Sequence, residues 1–434
     1  MGLAELCSLS GLHEEHSANL FPSGSSHTTS LFTTYRFSTW DEGAENQLKK
    51  MILVLVLSLP LLSGCWDRVE LQNLAIITAA AIDKLEDGQT RISVQIFIPR
   101  AITSGETGED PGSGATFVRE GVGENLASAI SLLQVNVPRR IFWGQCKIFI
   151  LGEELAKDGI REELDYLARH PGPRGGAFLF VSQGEAKGTL ELTPPLERYS
   201  AEVLSKLTDE EVGLGTTLRD VDKGLMGEGK SVSIPYIIPL EAAGNAQQKT
   251  IPVISATATF HGDQQAGLLD IMETQYLLWL QGDVTRGVVS ASLPEESGDI
   301  TMKVASGRVK YIPEVQDGQW KMDVVVSVEG EIIQNETHFN IMHEQVIKQI
   351  EKRYKEVLEG KIADLISKLQ EMNTDVLQFG RKFHQHYPQE WKEAKSEWDS
   401  KYQEVEVDID LTVIVQKPGY IGPPGFLPKD EVKE

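Results

Sequence analysis

The chain has 434 residues, 41% hydrophobic and 24% charged, which suits two or three folded domains with cores of their own. A formal charge of -23, from 64 acidic against 41 basic side chains, excludes nucleic acid as a partner and argues against a polybasic contact with anionic lipid headgroups. Three cysteines, Cys7, Cys65 and Cys146, are too few for a disulfide framework and match no zinc spacing.

Residues 1–47 are rich in Ser, Thr and His and carry no periodicity. They precede an export segment, so they are expected to be a non-translated or disordered extension, with translation starting at Leu48. Residues 48–64 have the layout of a secretory signal. Lys49 and Lys50 form a basic region, the 12 residues Met51–Leu62 an apolar one, and small residues follow. At about 1.5 Å per residue the apolar helix reaches ~18 Å, well short of a hydrocarbon core of ~30 Å.

Leu62, Ser63, Gly64 and Cys65 resemble the bacterial lipobox, with cleavage after Gly64. The Cys65 thiol is expected to carry diacylglycerol and the new amino terminus a fatty acyl group. One acyl chain holds a protein only marginally; two or more hold it stably, at about 0.8 kcal/mol per buried methylene. Removing residues 1–64 takes away three basic and six acidic side chains and leaves -20, so the acidity belongs to the folded part.

From Cys65 to residue 245 the pattern predicts an α/β domain, with room for two sub-domains. Strands are expected at 74–82, 91–98, 146–151 and 177–181, and helices at 126–133, 153–169 and within 196–225. A strand-like run at 231–239 leads to a polar linker at 241–250. From 250 to 418 the pattern predicts an α+β domain: alternating strands at 254–260, 288–293, 300–309 and 321–333, a long helix through 346–376, a short one at 391–402 and a last strand at 405–415. The long helix lacks a strict heptad, which favours packing on a sheet over a coiled coil. The proline-bearing tail, 419–434, is expected to be flexible.

Few residues suggest chemistry. His384 and His386, followed by Glu390 and Glu393, lack a further His or Cys, so a polar turn is favoured over a metal site. The acidic run 106–110 misses the spacing of a calcium loop. Gly121 and Gly123 open a helix without a full phosphate-binding fingerprint. Cys146 reads as a buried thiol, and Trp391 and Trp398, seven apart, as core. No local motif for a nucleophile and base is present. No cofactor or metal beyond the lipid is expected, and two carboxylates sharing a pocket stay open, since an acidic chain offers many.

Three segments together are similar to the Ger(x)C family, the lipoprotein C subunits of spore germinant receptors. They are Cys65-Trp66-Asp67-Arg68-Val69-Glu70-Leu71; Phe142-Trp143-Gly144-Gln145 leading into 148–160; and Asp375-Val376 with Phe379-Gly380, Phe383-His384, Tyr387-Pro388, Trp391 and Trp398. The resemblance covers residues 65–420. It implies a place on the outer face of the spore inner membrane, two integral membrane partners (the A and B subunits) and no catalytic activity. On it, Trp66, Asp67, Trp143 and Gln145 are candidate partner contacts. The rival readings are a solute-binding lipoprotein of a transporter, which would need two similar lobes about a cleft, and a secreted cell-wall hydrolase.

Overall fold

The computed structural model describes residues 46–54, 70–99, 115–240, 251–282, 284, 287–293, 297–416, 428 and 432–433. Residues 46–54 form an exposed helix, and residues 69–434 make a separate compact unit. Leu62, Ser63, Gly64, Cys65, Trp66 and Asp67 lie outside the described residues. Among the described residues no helix is long and apolar enough to cross a membrane.

The first half is built on a mixed sheet. β1 (Leu74–Lys84), β5 (Ile148–Gly152), β6 (Phe178–Ser182) and β7 (Ser231–Leu240) run parallel to one another. β2 (Thr90–Phe97) and β3 (Thr116–Gly123) extend one side antiparallel; β8 (Ile251–His261) and β9 (Gln264–Asp270) extend the other. Short β4 (Arg140–Phe142) pairs with the start of β1.

The central strands are near-continuous apolar runs because both faces of the sheet are covered. Ala80, Ile82, Phe149 and Leu151 face one layer, of α1 (Leu126–Val135), α2 (Glu153–Asp158), α3 (Arg161–Arg169) and α6 (Leu218–Leu225). Ala79, Ala81, Ile148, Ile150 and Phe180 face α4 (Lys187–Leu190) and α5 (Ser200–Asp209). The helix expected over 153–169 is two helices, because Gly159 takes φ +137° and breaks it.

The linker expected at 241–250 lies outside the described residues. It joins β7 to β8, adjacent antiparallel strands of one sheet, so the first layer runs on to Asp270.

The second half opens with α7 (Ile271–Leu280), capped by Asp270, whose carboxylate accepts the N–H groups of Met272 and Glu273 at 2.8 Å. A four-stranded sheet follows in the order β10 (Val288–Ser292), β11 (Asp299–Gln316), β12 (Gln319–Asn335), β13 (Glu406–Gln416). β11 and β12 form a long hairpin closed by Asp317 and Gly318 at φ 51° and 82°, the left-handed pair that matches strand twist. Even-numbered residues of β12, among them Met322, Val324, Val326 and Val328, are buried under α8 (Glu344–Glu371). That 28-residue helix presents Val346, Ile350, Tyr354, Leu358, Ile362, Leu365 and Leu369 as one apolar stripe. α9 (Phe379–His386), α10 (Pro388–Ala394) and α11 (Trp398–Glu404) then return the chain to β13, which runs parallel to β12. The helix expected at 391–402 is interrupted by a 3-10 turn at Lys395–Glu397. An α/β half followed by an α+β half is the architecture the patterning predicts.

Candidate functional site

The residues of the third family-like segment converge on one point, Asp375, in the loop after α8. The loop turns through Asn373 and Gln378, both with left-handed φ (54° and 59°). Its shape brings the buried Asp375 carboxylate under the first turn of α9. There it accepts the N–H groups of Phe379 at 2.6 Å and Gly380 at 2.8 Å, and the indole N–H of Trp398 at 3.1 Å. A negative charge at a helix N-terminus is stabilised by the free N–H groups and the helix dipole.

An aromatic box closes around it. Trp398 lies 4.8 Å from Trp391 and 5.8 Å from Trp320 between ring centroids, and Trp320 lies 4.8 Å from Phe383. Phe379 packs between Tyr311 and Tyr402. A side chain at Gly380 would come within 2.8 Å of Trp391 and 2.9 Å of Trp398, so only glycine fits there. Burial pushes the Asp375 carboxyl up to about 7, desolvation outweighing the donors that favour its ionised form. Desolvation, and then the nearby Asp375 charge, push the Tyr311 and Tyr402 hydroxyls upward as well.

The same aspartate joins the two halves. Its backbone N–H donates to Ser231 Oγ at 3.0 Å, at the first residue of β7, and a Cβ on Gly229 would stand 2.6 Å from its carboxylate. Beside it, Glu228 takes His384 at 2.8 Å and Lys395 at 3.1 Å. A cleft of about 550 Å³ runs along this joint, lined by Thr216, Ser233, Gln281, Tyr311 and Lys382 among others. Among the described residues the buried Ser233 hydroxyl has no hydrogen-bond partner.

A second buried carboxylate, Asp83, sits at the C-terminal end of β1. It accepts the N–H groups of Ala186 at 2.6 Å and Lys187 at 3.1 Å, and Arg91 reaches it at 3.2 Å while also pairing with Glu185. Burial raises its pKa, with the two N–H groups and Arg91 opposing.

The structure separates the sequence-predicted site residues. Trp143 is only 6% exposed and stacks on Phe149, so it belongs to the core and shapes the loop around it; Gln145 is exposed. Cys146 is buried, and its thiol is pushed well up by desolvation. Trp391 and Trp398 are core, as their spacing suggests. His384 stacks on Trp391 and pairs with Glu228. Among the described residues no group of three or more His, Cys, Asp or Glu side chains is placed to hold a metal. What reasoning from sequence missed was the role of Asp375; a signal existed in an aspartate four residues before a Phe-Gly helix start.

A nine-stranded mixed sheet joined at Asp375 to a four-stranded α+β unit defines a two-domain architecture, α/β followed by α+β. The family model described as "Spore germination protein N-terminal domain" matches residues 67–239, and that described as "Spore germination B3/ GerAC like, C-terminal" matches 255–419. The chain belongs to this spore germination family. It is similar to spore germination protein KC of Bacillus subtilis (strain 168), 25% identical over 391 residues, covering 85% of this chain and 95% of that protein. It is also similar to spore germination protein B3 of the same organism, at 22% identity over 374 residues, covering 85% and 98%. The crystal structure of the GerBC protein shares the fold, with a TM-score of 0.52 at 18% identity, over 78% of this chain and 96% of that one.

Proposed function

We propose that this chain is a lipid-anchored, non-catalytic subunit of a nutrient germinant receptor, held by acylated Cys65 on the outer face of the spore inner membrane. It works there with two integral membrane partners, the A and B subunits. The observation that carries the reading is the match of both family models, in order, across the two halves. The folded body begins close behind the lipobox: β1 starts at Leu74, nine residues after Cys65. The non-catalytic part is supported by how Asp375, the acid whose pKa rises to about 7, is used: both of its oxygens are occupied by N–H donors inside packed aromatics.

Deleting the gene should slow germination in one nutrient mixture and leave vegetative growth intact; a growth defect would contradict the reading. The cleft at the joint is the feature that favours the solute-binding alternative. Saturable heat of binding for an amino acid or sugar with the purified chain would move the assignment towards it.

A further inference from the structure

The acidity of the chain is not evenly spread. Residues 136–147 and 170–177 hold Arg139, Arg140, Lys147, Arg174 and His170 and no aspartate or glutamate, in a chain with 64 acidic residues among 434. The fold puts the two segments together. They lead into the parallel strands β5 and β6, Phe178 N–H donates to Lys147 O at 2.8 Å, and Gly172 lies against the Trp143 side chain. Among the described residues no carboxylate pairs with Arg139, Arg140, Lys147 or Arg174.

Apolar side chains stand beside these cations in water. On the last turn of α1, Leu132 is 49% and Val135 79% exposed, and Phe142 is 36% exposed on β4. Gln134 clamps the helix end to the loop, donating to Val137 O and Arg139 O and accepting from Ile141 N–H. Leu132, Val135, Arg139, Arg140 and Phe142 therefore lie on one continuous surface. Arg140 pairs in register with Leu74, the first residue of β1. Cys65 is nine residues before Leu74, a covalent reach of about 30 Å at most. An acyl group on Cys65 keeps this end of the sheet, more than the far β1–β2 turn, within range of the bilayer.

We infer that this rim is a contact surface for an anionic lipid bilayer, with Arg139, Arg140 and Arg174 over headgroups and Val135, Leu132 and Phe142 at the interface. The inference rests on the lipid-anchor reading. Near an anionic surface each arginine strengthens binding about fivefold, and apolar side chains add to it at the headgroup boundary. The rest of the chain is acidic and repelled by the same surface, so a single face turns inward. The anchor holds the chain at the membrane; the rim sets its orientation. The net charge that argued against lipid contact conceals this local reversal of sign.

Hydrogen exchange read by mass spectrometry on the full chain tests it, with vesicles of phosphatidylcholine alone or mixed with phosphatidylglycerol, while flotation of the same samples reads the anchor. Amides of 136–142 should exchange several-fold more slowly on the mixed vesicles at low salt, and those of the β1–β2 turn, 85–89, should not change. Arg139→Gln with Arg140→Gln should remove the slowing without altering the melting temperature, since both side chains are exposed. A chain that floats with 136–142 exchanging equally on both vesicles overturns the rim and leaves the anchor standing. A chain that sinks yet is protected by excess anionic vesicles supports the rim and overturns the anchor; one that does neither overturns both. Protection seen only on protein-containing spore membranes would assign the face to a protein partner and overturn the inference.

Discussion

Asp83 and Asp375 solve the same problem with different means. Each is a buried carboxylate at the start of a helical turn, and each accepts two backbone N–H groups. Asp83 adds a guanidinium, Arg91, which is itself held by Glu185. Asp375 adds only an indole N–H. Among the described residues no cation offsets its charge, and burial drives its pKa up to about 7. A formal countercharge keeps a buried acid ionised more firmly than dipoles do. Sensitivity to pH should therefore be larger at the joint between the halves than within the first sheet, where the Asp83 carboxyl is raised as well.

Four measurements would break or sharpen that contrast, from the largest expected effect down. Trp398→Ala removes both an indole donor and the centre of the aromatic box, and should cost about 4 kcal/mol in denaturant unfolding. A loss under ~1 kcal/mol would mean that the box is not a packed core. The pH profile comes next and is of similar size. A folded carboxyl raised to about 7 binds more protons than the unfolded one between the two pKa values, so stability is fullest below pH ~4 and falls as pH rises through 7. The fall attributable to Asp375 is about 4 kcal/mol, and Asp375→Asn should flatten it. That variant should also lose about 2 kcal/mol at pH 8, because an amide turns an N–H towards one of the donors. An unchanged slope would reject Asp375 as the titrating group.

Arg91→Met leaves Asp83 buried without its cation and should cost about 3 kcal/mol. It should also steepen the fall of stability with pH in the first half, since Arg91 opposes the upward shift of Asp83. The smallest effect is expected at Glu228→Gln, whose partners His384 and Lys395 are largely exposed: about 0.5 kcal/mol. A loss of several kcal/mol there would show that the joint depends on this surface pair.

Much of this was legible before the structure. β1, β2, β13 and α8 followed from apolar periodicity, because each buries a continuous face. β3 escaped, being an edge strand with Arg119 and Glu120 in its middle. α7 escaped because it is apolar all round, although Asp270 and Glu273 spell its capping box. The Asp375 site was legible as a set of residues and not as a mechanism. Its partners lie 23 and 144 residues away, at Trp398 and Ser231, where no local pattern reaches. The cationic rim was hidden for the same reason, since two segments some 30 residues apart are brought together by the parallel sheet.

Mass spectrometry of the N-terminal peptide of the native protein, purified from spores, tests the central claim most directly. The account predicts a chain that starts at Cys65 with a thioether-linked diacylglycerol. An unmodified Cys65 still attached to Gly64 would contradict it.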